Sequence, residues 1–517
     1  MKAINVLLAL LVSLAVAAGV LEIGLRLLGM GPQPTINKFD KDLGWVKTPN
    51  SVAHRKTGEY DVTFKINSLG LRDDEMTSPA KPAGTFRVLA LGDSFVQGYT
   101  VERENLFADI LEKWWQAEGR KVDVINAGTE GYSTDQEVLW LDLQGREFQP
   151  DLVVLFPYEN DLYWNAKTHY DRYPKPRFNP SGEAEMRVLQ DPGPPSVVDR
   201  WALGRFLKTV FSHHDLWSPA GGHPLPMEWV AYFRTDPEPM REVKERTHGA
   251  LLALQKSCKD VGAALCVVPI PNKAAIEPTA KKTLENQVGV DTSSWSPDVP
   301  VETFLALCKD LGIPAIDPRD ALRADVPKVR DGHLYYQKDW HLNAEGNRTL
   351  ARFVHDQLDT SGAFPAAFVA TRKAELPIPP DAPPSYGPVK LFAFLWALLS
   401  IGWILTYRKD PAWQAPLKVA VMLGLVFTIA LGGGWLLGQL PAAWSSRIAV
   451  LFVLGLLGFI VWKLGRRIGT IIELFICFVG RGHWYLIPLV VVLLSVGSLL
   501  VVAASSPLIA PFIYTLF

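Results

Sequence analysis

Cysteine is scarce. Four are present, at Cys258, Cys266, Cys308 and Cys477, and none falls in a CxxC or Cys/His spacing. That excludes a zinc ribbon and a disulfide-dense scaffold, and no metal or other cofactor is called for. Buried free thiols are the expected reading of Cys258, Cys266 and Cys308, with one disulfide left open should the compartment be oxidising. No dense basic stripe is present, which excludes a nucleic-acid partner. Charge is missing from the end of the chain: Val389 to Phe517 holds nine Lys/Arg and two Asp/Glu. This tail is near +7 and the preceding residues near −8, within a formal total of −1. With 48% hydrophobic residues and a mean hydropathy of +0.10, that split excludes a soluble cytoplasmic enzyme and a disordered chain. No internal repeat is found. What remains is a polar domain wired into a membrane.

Long apolar runs are present at both ends. Ile4 to Leu28 carries only Glu22 and Arg26 as charges, and about 20 residues at 1.5 Å rise cross a ~30 Å hydrocarbon core. Residues 1–29 therefore read as an uncleaved signal anchor, in which Glu22 and Arg26, one helical turn apart, can pair near the outer interface. Lys390–Tyr407, Leu417–Leu437, Ile448–Trp462 and Trp484–Ala504 are four further candidate spans in a transmembrane region 389–517, and Ile468–Val479 reads as an interfacial helix. The positive-inside rule sets the orientation. Arg408, Lys409, Lys418, Lys463, Arg466, Arg467 and Arg481 fall inside and Arg447 outside. The expectation is a multi-pass protein of a bacterial inner membrane whose body faces the periplasm.

The body alternates short apolar runs with helical spacing. Strands are expected at Arg87–Leu91, Lys121–Asn126, Asp151–Phe156, Ala264–Ile270 and Ala315–Asp317. Helices are expected at Leu106–Trp115, Asp135–Phe148, Glu242–Asp260, Val301–Leu311 and Ala344–Asp359. The pattern implies an α/β domain, a parallel sheet covered on both faces, with its site beyond the carboxyl ends of the strands. Residues 30–84 read as an entry segment, 85–362 as the domain, about 163–238 as an insertion rich in Pro, Trp and Tyr, and 363–388 as a stiff proline-rich linker.

Chemistry-bearing residues stand at the strand ends. Gly92-Asp93-Ser94-Phe95 follows the first strand, Asn126-Ala127-Gly128 ends the second, Glu159-Asn160-Asp161 the third, and Asp339-Trp340-His341 precedes the last helix. One sheet edge thus carries a hydroxyl nucleophile, a backbone amide, a side-chain amide and an acid–base pair, the set that acyl transfer needs. In that order, GDSF, NAG, END and DWHLNAEGN resemble the SGNH (GDSL-like) hydrolases, over roughly residues 85–360. The resemblance implies a three-layer αβα fold, Ser94 as nucleophile, His341 as base and Asp339 orienting it. It implies an oxyanion hole of the Ser94 and Gly128 amides and the Asn160 side chain. The commonest family pattern places the Asp three before the His, a position held here by Lys338; Asp at minus two resembles branches such as the alginate O-acetylation proteins.

Plainer roles compete with these. Ser94 could cap a helix, His341 could be a surface residue and Asn160 a turn residue, while Asp93 reads as a carboxylate tethering backbone. His213, His214 and His333 read as ordinary polar positions. Trp164, Tyr170, Trp201, Trp217 and Trp229 read as the insertion's own small core rather than a sugar-stacking platform. The end of the tail, from about Glu473 through the closing heptapeptide Pro511 to Phe517, resembles a small uncharacterised bacterial membrane-protein family. That resemblance implies a partnership with carbamoyltransferases and SGNH proteins, without assigned chemistry. The expected function is a membrane-anchored serine hydrolase acting on acyl or carbohydrate esters. Its rivals are an O-acyltransferase modifying a cell-surface glycan and a non-catalytic membrane partner module.

Overall fold

The computed structural model describes most of residues 36–360, part of an N-terminal helix at 18–26, and helices at 387–406 and 414–438; residues 1–14, 27–30, 33–35, 186–188, 212–215, 218–224, 289–293, 361–363, 369–386, 407–410, 439–517 and scattered single positions or pairs lie outside the described residues. Two antiparallel hairpins come first: β1 (Asn37–Asp40) with β2 (Gly44–Lys47), and β3 (Val52–Lys56) with β4 (Asp61–Lys65). The central sheet comes next, with β5 (Phe86–Gly92), β6 (Val122–Asn126), β7 (Leu152–Phe156) and β8 (Ala264–Val267) in the order β8-β7-β5-β6, all parallel. Cys266, Val154, Ala90 and Asn126 lie abreast across it.

Two layers of helices cover the sheet, which is why every residue of β5 and β7 is buried. On one face Val88, Ala90, Val154 and Phe156 pack with α2 (Phe107–Ala117) and α7 (Ala344–Thr360); on the other Leu89, Leu91, Val153 and Leu155 pack with α3 (Thr134–Leu143), α5 (Glu238–Val261) and α6 (Val299–Leu311). Each such Val, Leu or Phe side chain removed from water contributes about 1.5–3 kcal/mol. The period-two alternation therefore feeds two cores, and the expected αβα body is what is found. Two short helices begin at strand ends: α1 (Ser94–Gln97) after β5 and α4 (Glu159–Trp164) after β7.

Two expectations are corrected. The fifth strand at Ala315–Asp317 is a single bridge, Val267 to Ala315. Pro314 and Pro318 flank it and have no N–H to extend a ladder. The fourth strand stops at Val267 rather than Ile270: Val268 and Ile270 still donate to the Leu155 and Pro157 carbonyls, but Pro269 has no N–H for the opposite edge, where the Val267 N–H donates to Pro314 O. Within the entry segment, residues 36–84 are built into the body. Buried Arg72 donates to the carbonyls of Gln97 and Val101, and Arg55 pairs with Glu130 at 2.7 Å.

Helices α8 (Gly387–Thr406) and α9 (Gln414–Gly438) fall where two spans are expected, and Val20 of the N-terminal helix clusters with Leu391, Leu395, Leu399, Val419, Leu423 and Phe427. Among the described residues no helix is long and apolar enough to cross a membrane. Residues 18–26 amount to ~14 Å of helix, and Lys390 and Lys418 stand near the starts of α8 and α9. The segments Ile448–Trp462, Ile468–Val479 and Trp484–Ala504 lie outside the described residues. Cys258, Cys266 and Cys308 are free and buried, with burial pushing their thiols up to about 12, 11 and 12.

Candidate active site

Parallel register brings Gly92 and Phe156 side by side, so the segments leaving β5 and β7 share one edge with the end of β6. Ser94 opens α1 there, 8% exposed. Its Oγ lies 2.7 Å from His341 Nε2, and His341 Nδ1 lies 2.6 Å from Asp339 Oδ1. Asp93 is buried beside them, but its Oδ2 is 3.4 Å from Ser94 Oγ while its Oδ1 accepts the Phe95 N–H at 2.8 Å. Asp93 tethers backbone; the short contact of the serine is with histidine. Burial pushes the Asp93 carboxyl up to about 6.

The imidazole is clamped by rings. Phe95 stacks on it with centroids 4.3 Å apart, Tyr158 lies 4.4 Å behind Phe95, and Tyr99 meets it edge-on at 4.6 Å. Its Nδ1 partner is held as firmly. Asp339 is 4% exposed, and Tyr60 and Tyr99 donate to its Oδ2 at 3.0 and 3.3 Å. Burial alone would raise this carboxyl; the adjacent His341 and hydrogen bonds from His341 and Tyr60 hold it below its ordinary value. Burial pushes the Tyr60 and Tyr99 phenols well up, so both stay protonated donors.

Gly128 presses on the backbone of α1. A Cβ there would stand 2.2 Å from Gln97 N and 2.5 Å from Val96 C, so only glycine allows the approach. Asn126 binds the same helix, donating from Nδ2 to Val96 O at 2.8 Å. The Gly128 N–H donates to Asn126 Oδ1 at 3.0 Å, so it must share that bond to serve a substrate oxygen. Lys47, wholly buried, donates to Gly128 O and, at 3.1 Å, to Thr129 Oγ1. Asn160 stands in the first turn of α4, and its Oδ1 is buried without a partner. Ser94, His341 and Asp339 are thus brought into one chain of contacts, with Gly128 against the serine's helix and Asn160 at the neighbouring strand end.

The remaining candidates are structural. His333 Nδ1 meets Glu277 Oε2 at 2.9 Å, far along the chain from Ser94, and His213 and His214 lie outside the described residues. Trp229 packs with Tyr232, Phe233 and Trp295, and Trp164 meets Tyr170 edge-on at 4.7 Å while Tyr170 lies against Trp45 of the main core, so these aromatics pack on the body instead of forming a core of the insertion's own. Trp201 is 49% exposed, and the Trp217 side chain lies outside the described residues. Sequence reading missed Lys47, Glu59, Tyr60, Phe95 and Tyr99. Their signal was weak: the Val62/Phe64 alternation after Gly58 marks a hairpin, but nothing local says where it docks.

The comparisons agree with this architecture. Residues 231–382 match the family model described as "SGNH hydrolase-like domain, acetyltransferase AlgX", and residues 468–517 match a family of unknown function, DUF5989. No curated protein matches the chain. Similar solved structures include an acetyl xylan esterase, AlAXEase (15% identity, 54% of this chain and 100% of that one, TM-score 0.30). A lipase/acylhydrolase from Enterococcus faecalis (13%, 53% and 95%, 0.28) and a GDSL-like lipase from Bacteroides thetaiotaomicron (12%, 53% and 88%, 0.26) are others. TM-scores this low add nothing to the assignment. Residues 231–382 are thus similar to an SGNH hydrolase-like domain and residues 468–517 to a family of unknown function, and the GDSF, NAG and END blocks stand at the carboxyl ends of the parallel sheet that precedes the first of these matches.

Proposed function

We propose that the chain is a membrane-anchored serine enzyme that breaks ester bonds through an acyl-enzyme on Ser94. The observation that carries this is the run of contacts from Ser94 Oγ to His341 Nε2 at 2.7 Å and from His341 Nδ1 to Asp339 at 2.6 Å. In the forward half-reaction His341 Nε2 takes the Ser94 proton as Oγ attacks the ester carbonyl. The oxygen's negative charge is met by the Ser94 and Gly128 N–H groups and the Asn160 side chain. The C–O bond breaks, the departing alcohol takes the proton from His341, and the acyl group stays on Ser94. An attacking hydroxyl, activated by the same imidazole, then releases it.

Water as that hydroxyl makes the protein an esterase. A glycan hydroxyl makes it an O-acyltransferase, a reading favoured by the acetyltransferase description of the model matched at 231–382. Anchoring of a periplasmic catalytic body is supported by the charge distribution of the loops and by the outward apolar side chains of α8 and α9, such as Ile401, Leu405, Leu417 and Val421. The test is activity-based labelling in membranes: a fluorophosphonate should label the wild-type chain, and Ser94→Ala should abolish labelling. Equal labelling of the two would remove the serine mechanism. Rapid cleavage of short p-nitrophenyl esters, unaffected by added glycan, would decide for the esterase.

A further inference from the structure

The turn between β3 and β4 lies on the loop that carries Asp339 and His341. The Glu59 carboxylate accepts the backbone N–H groups of Gln337 at 2.7 Å, Lys338 at 3.0 Å and Asp339 at 2.8 Å. Tyr60 donates its O–H to Asp339 Oδ2 at 3.0 Å, and its ring packs against Tyr336 and Tyr99 with centroids 5.4 and 6.3 Å apart. The turn is itself tied, because Thr57 Oγ1 accepts the N–H groups of Glu59 and Tyr60 at 3.1 and 3.2 Å. From the opposite side Lys273 Nζ donates to the carbonyls of Tyr336 and Gln337 at 2.8 and 3.2 Å. One carboxylate takes the loop's donors and one ammonium takes its acceptors.

We infer that Glu59 and Tyr60 are positioning residues of the catalytic centre, and that the hairpin 52–65 is its fourth part. This rests on the reading of Ser94 and His341 as the reacting groups. The need for the clamp comes from the spacing. With Asp only two residues before His, Asp339 Oδ1 serves both the His341 N–H at 3.2 Å and Nδ1 at 2.6 Å, and the loop between them is a single residue long. A carboxylate buried so deeply must have its second oxygen satisfied too, or its desolvation cost goes uncompensated. Tyr60 supplies the shorter of the two bonds to it, at 3.0 Å against 3.3 Å for Tyr99. Glu59, through charge-assisted bonds to three successive amides, fixes the backbone from which Asp339 and His341 project. Lys338 at minus three is no defect in this arrangement: its N–H is one of the three that Glu59 holds.

The experiment uses the full chain in detergent, with two readouts on each of four proteins: wild type, Glu59→Gln, Tyr60→Phe and Glu59→Ala. The first is the rate of fluorophosphonate labelling of Ser94 against pH. The second is the low-field proton resonance of the His341–Asp339 hydrogen bond in protein carrying nitrogen-15 histidine, assigned by its loss in His341→Gln. Tyr60→Phe keeps the ring and removes one donor from Asp339. More negative charge then faces the imidazolium, so the acidic limb of the labelling profile should move to higher pH and the resonance should shift. Each unit of that movement is a tenfold change in the protonation ratio of His341. Glu59→Gln keeps the shape and loses the charge; labelling should slow by about tenfold and the resonance should broaden. Glu59→Ala should lose the resonance while circular dichroism stays native. Unchanged labelling, pH profile and resonance in Tyr60→Phe and Glu59→Gln would overturn the clamp. A wild type that ignores the probe yet loses its resonance in Glu59→Ala would uphold the clamp and overturn the esterase reading instead.

Discussion

At Ser94 two groups compete for one hydroxyl proton, and distance decides between them. His341 Nε2 at 2.7 Å is within strong hydrogen-bond range, whereas Asp93 Oδ2 at 3.4 Å is at its limit and Asp93 is already occupied by the Phe95 amide. Asp339→Asn should therefore slow turnover by on the order of 10²–10⁴, since it disturbs the tautomer and charge of His341 without deleting a reacting group; steady-state esterase or transferase rates would show it. A silent Asp339→Asn beside an inactive His341→Ala would mean a Ser–His dyad. Lys47 gives a second residue-level expectation, in stability. Burial pushes its ammonium down from 10.5 to about 7. Because the folded value is the lower one, the unfolded chain binds more protons between those two values, and this contribution to stability rises with pH across that window. In melts of wild type beside Lys47→Met, the wild type should gain on the variant from about pH 7 to about pH 9. A gap that does not change with pH would mean that Lys47 is not the buried titrating group.

Between elements, the decisive contact is Gly128 against α1. Gly128→Ala puts a methyl 2.2 Å from Gln97 N, in backbone that cannot swing aside as a side chain would. Helix α1 must move, and Ser94 with it. The variant should lose about 1–3 kcal/mol of stability and label far more slowly with a fluorophosphonate, whereas Gly84→Ala, where a Cβ meets nothing within 4 Å and only the left-handed φ of +72° is strained, should lose about 1 kcal/mol and still label normally. The core elements were legible because their patterns are local. Val153 and Leu155 on one face and Val154 and Phe156 on the other make a continuous apolar run, and the long amphipathic stretch ending at Gly262 reads as a helix. The hairpins were not legible: strands of four or five residues carry too few alternations to stand out, and their burial comes from the body they dock on.

For the molecule as a whole, the N-terminal helix meets α8 and α9: Val20 joins Leu391, Leu395, Leu399, Val419, Leu423 and Phe427, while Glu22 accepts the Ala202 and Leu203 amides at 3.1 and 2.9 Å and pairs with Arg26 at 2.6 Å. The expected Glu22–Arg26 pair is present, and Glu22 also ties the N-terminal helix to the insertion. The membrane proposal has its own test. A reporter enzyme active only in the periplasm should be active when fused after Asp359 and silent when fused at Lys409. The reverse pattern would overturn the orientation argued from the loop charges.

The succession of strands and helices along the chain, the two-faced burial of a parallel sheet and the placing of Ser94, Gly128, Asn160 and His341 at its carboxyl edge were legible in the sequence alone; the order of the strands within the sheet was not. Periodicity and the residues that end a strand are properties of short, contiguous stretches. The docking of residues 52–65, the Tyr60 and Tyr99 bonds to Asp339 and the burial of Lys47 against Gly128 were decided only by the tertiary structure. Those contacts join groups 81 to 279 positions apart, and no local pattern records a partner at that distance. The physical reason is that a buried polar group is defined by the atom that satisfies it, and here that atom comes from the other side of the domain.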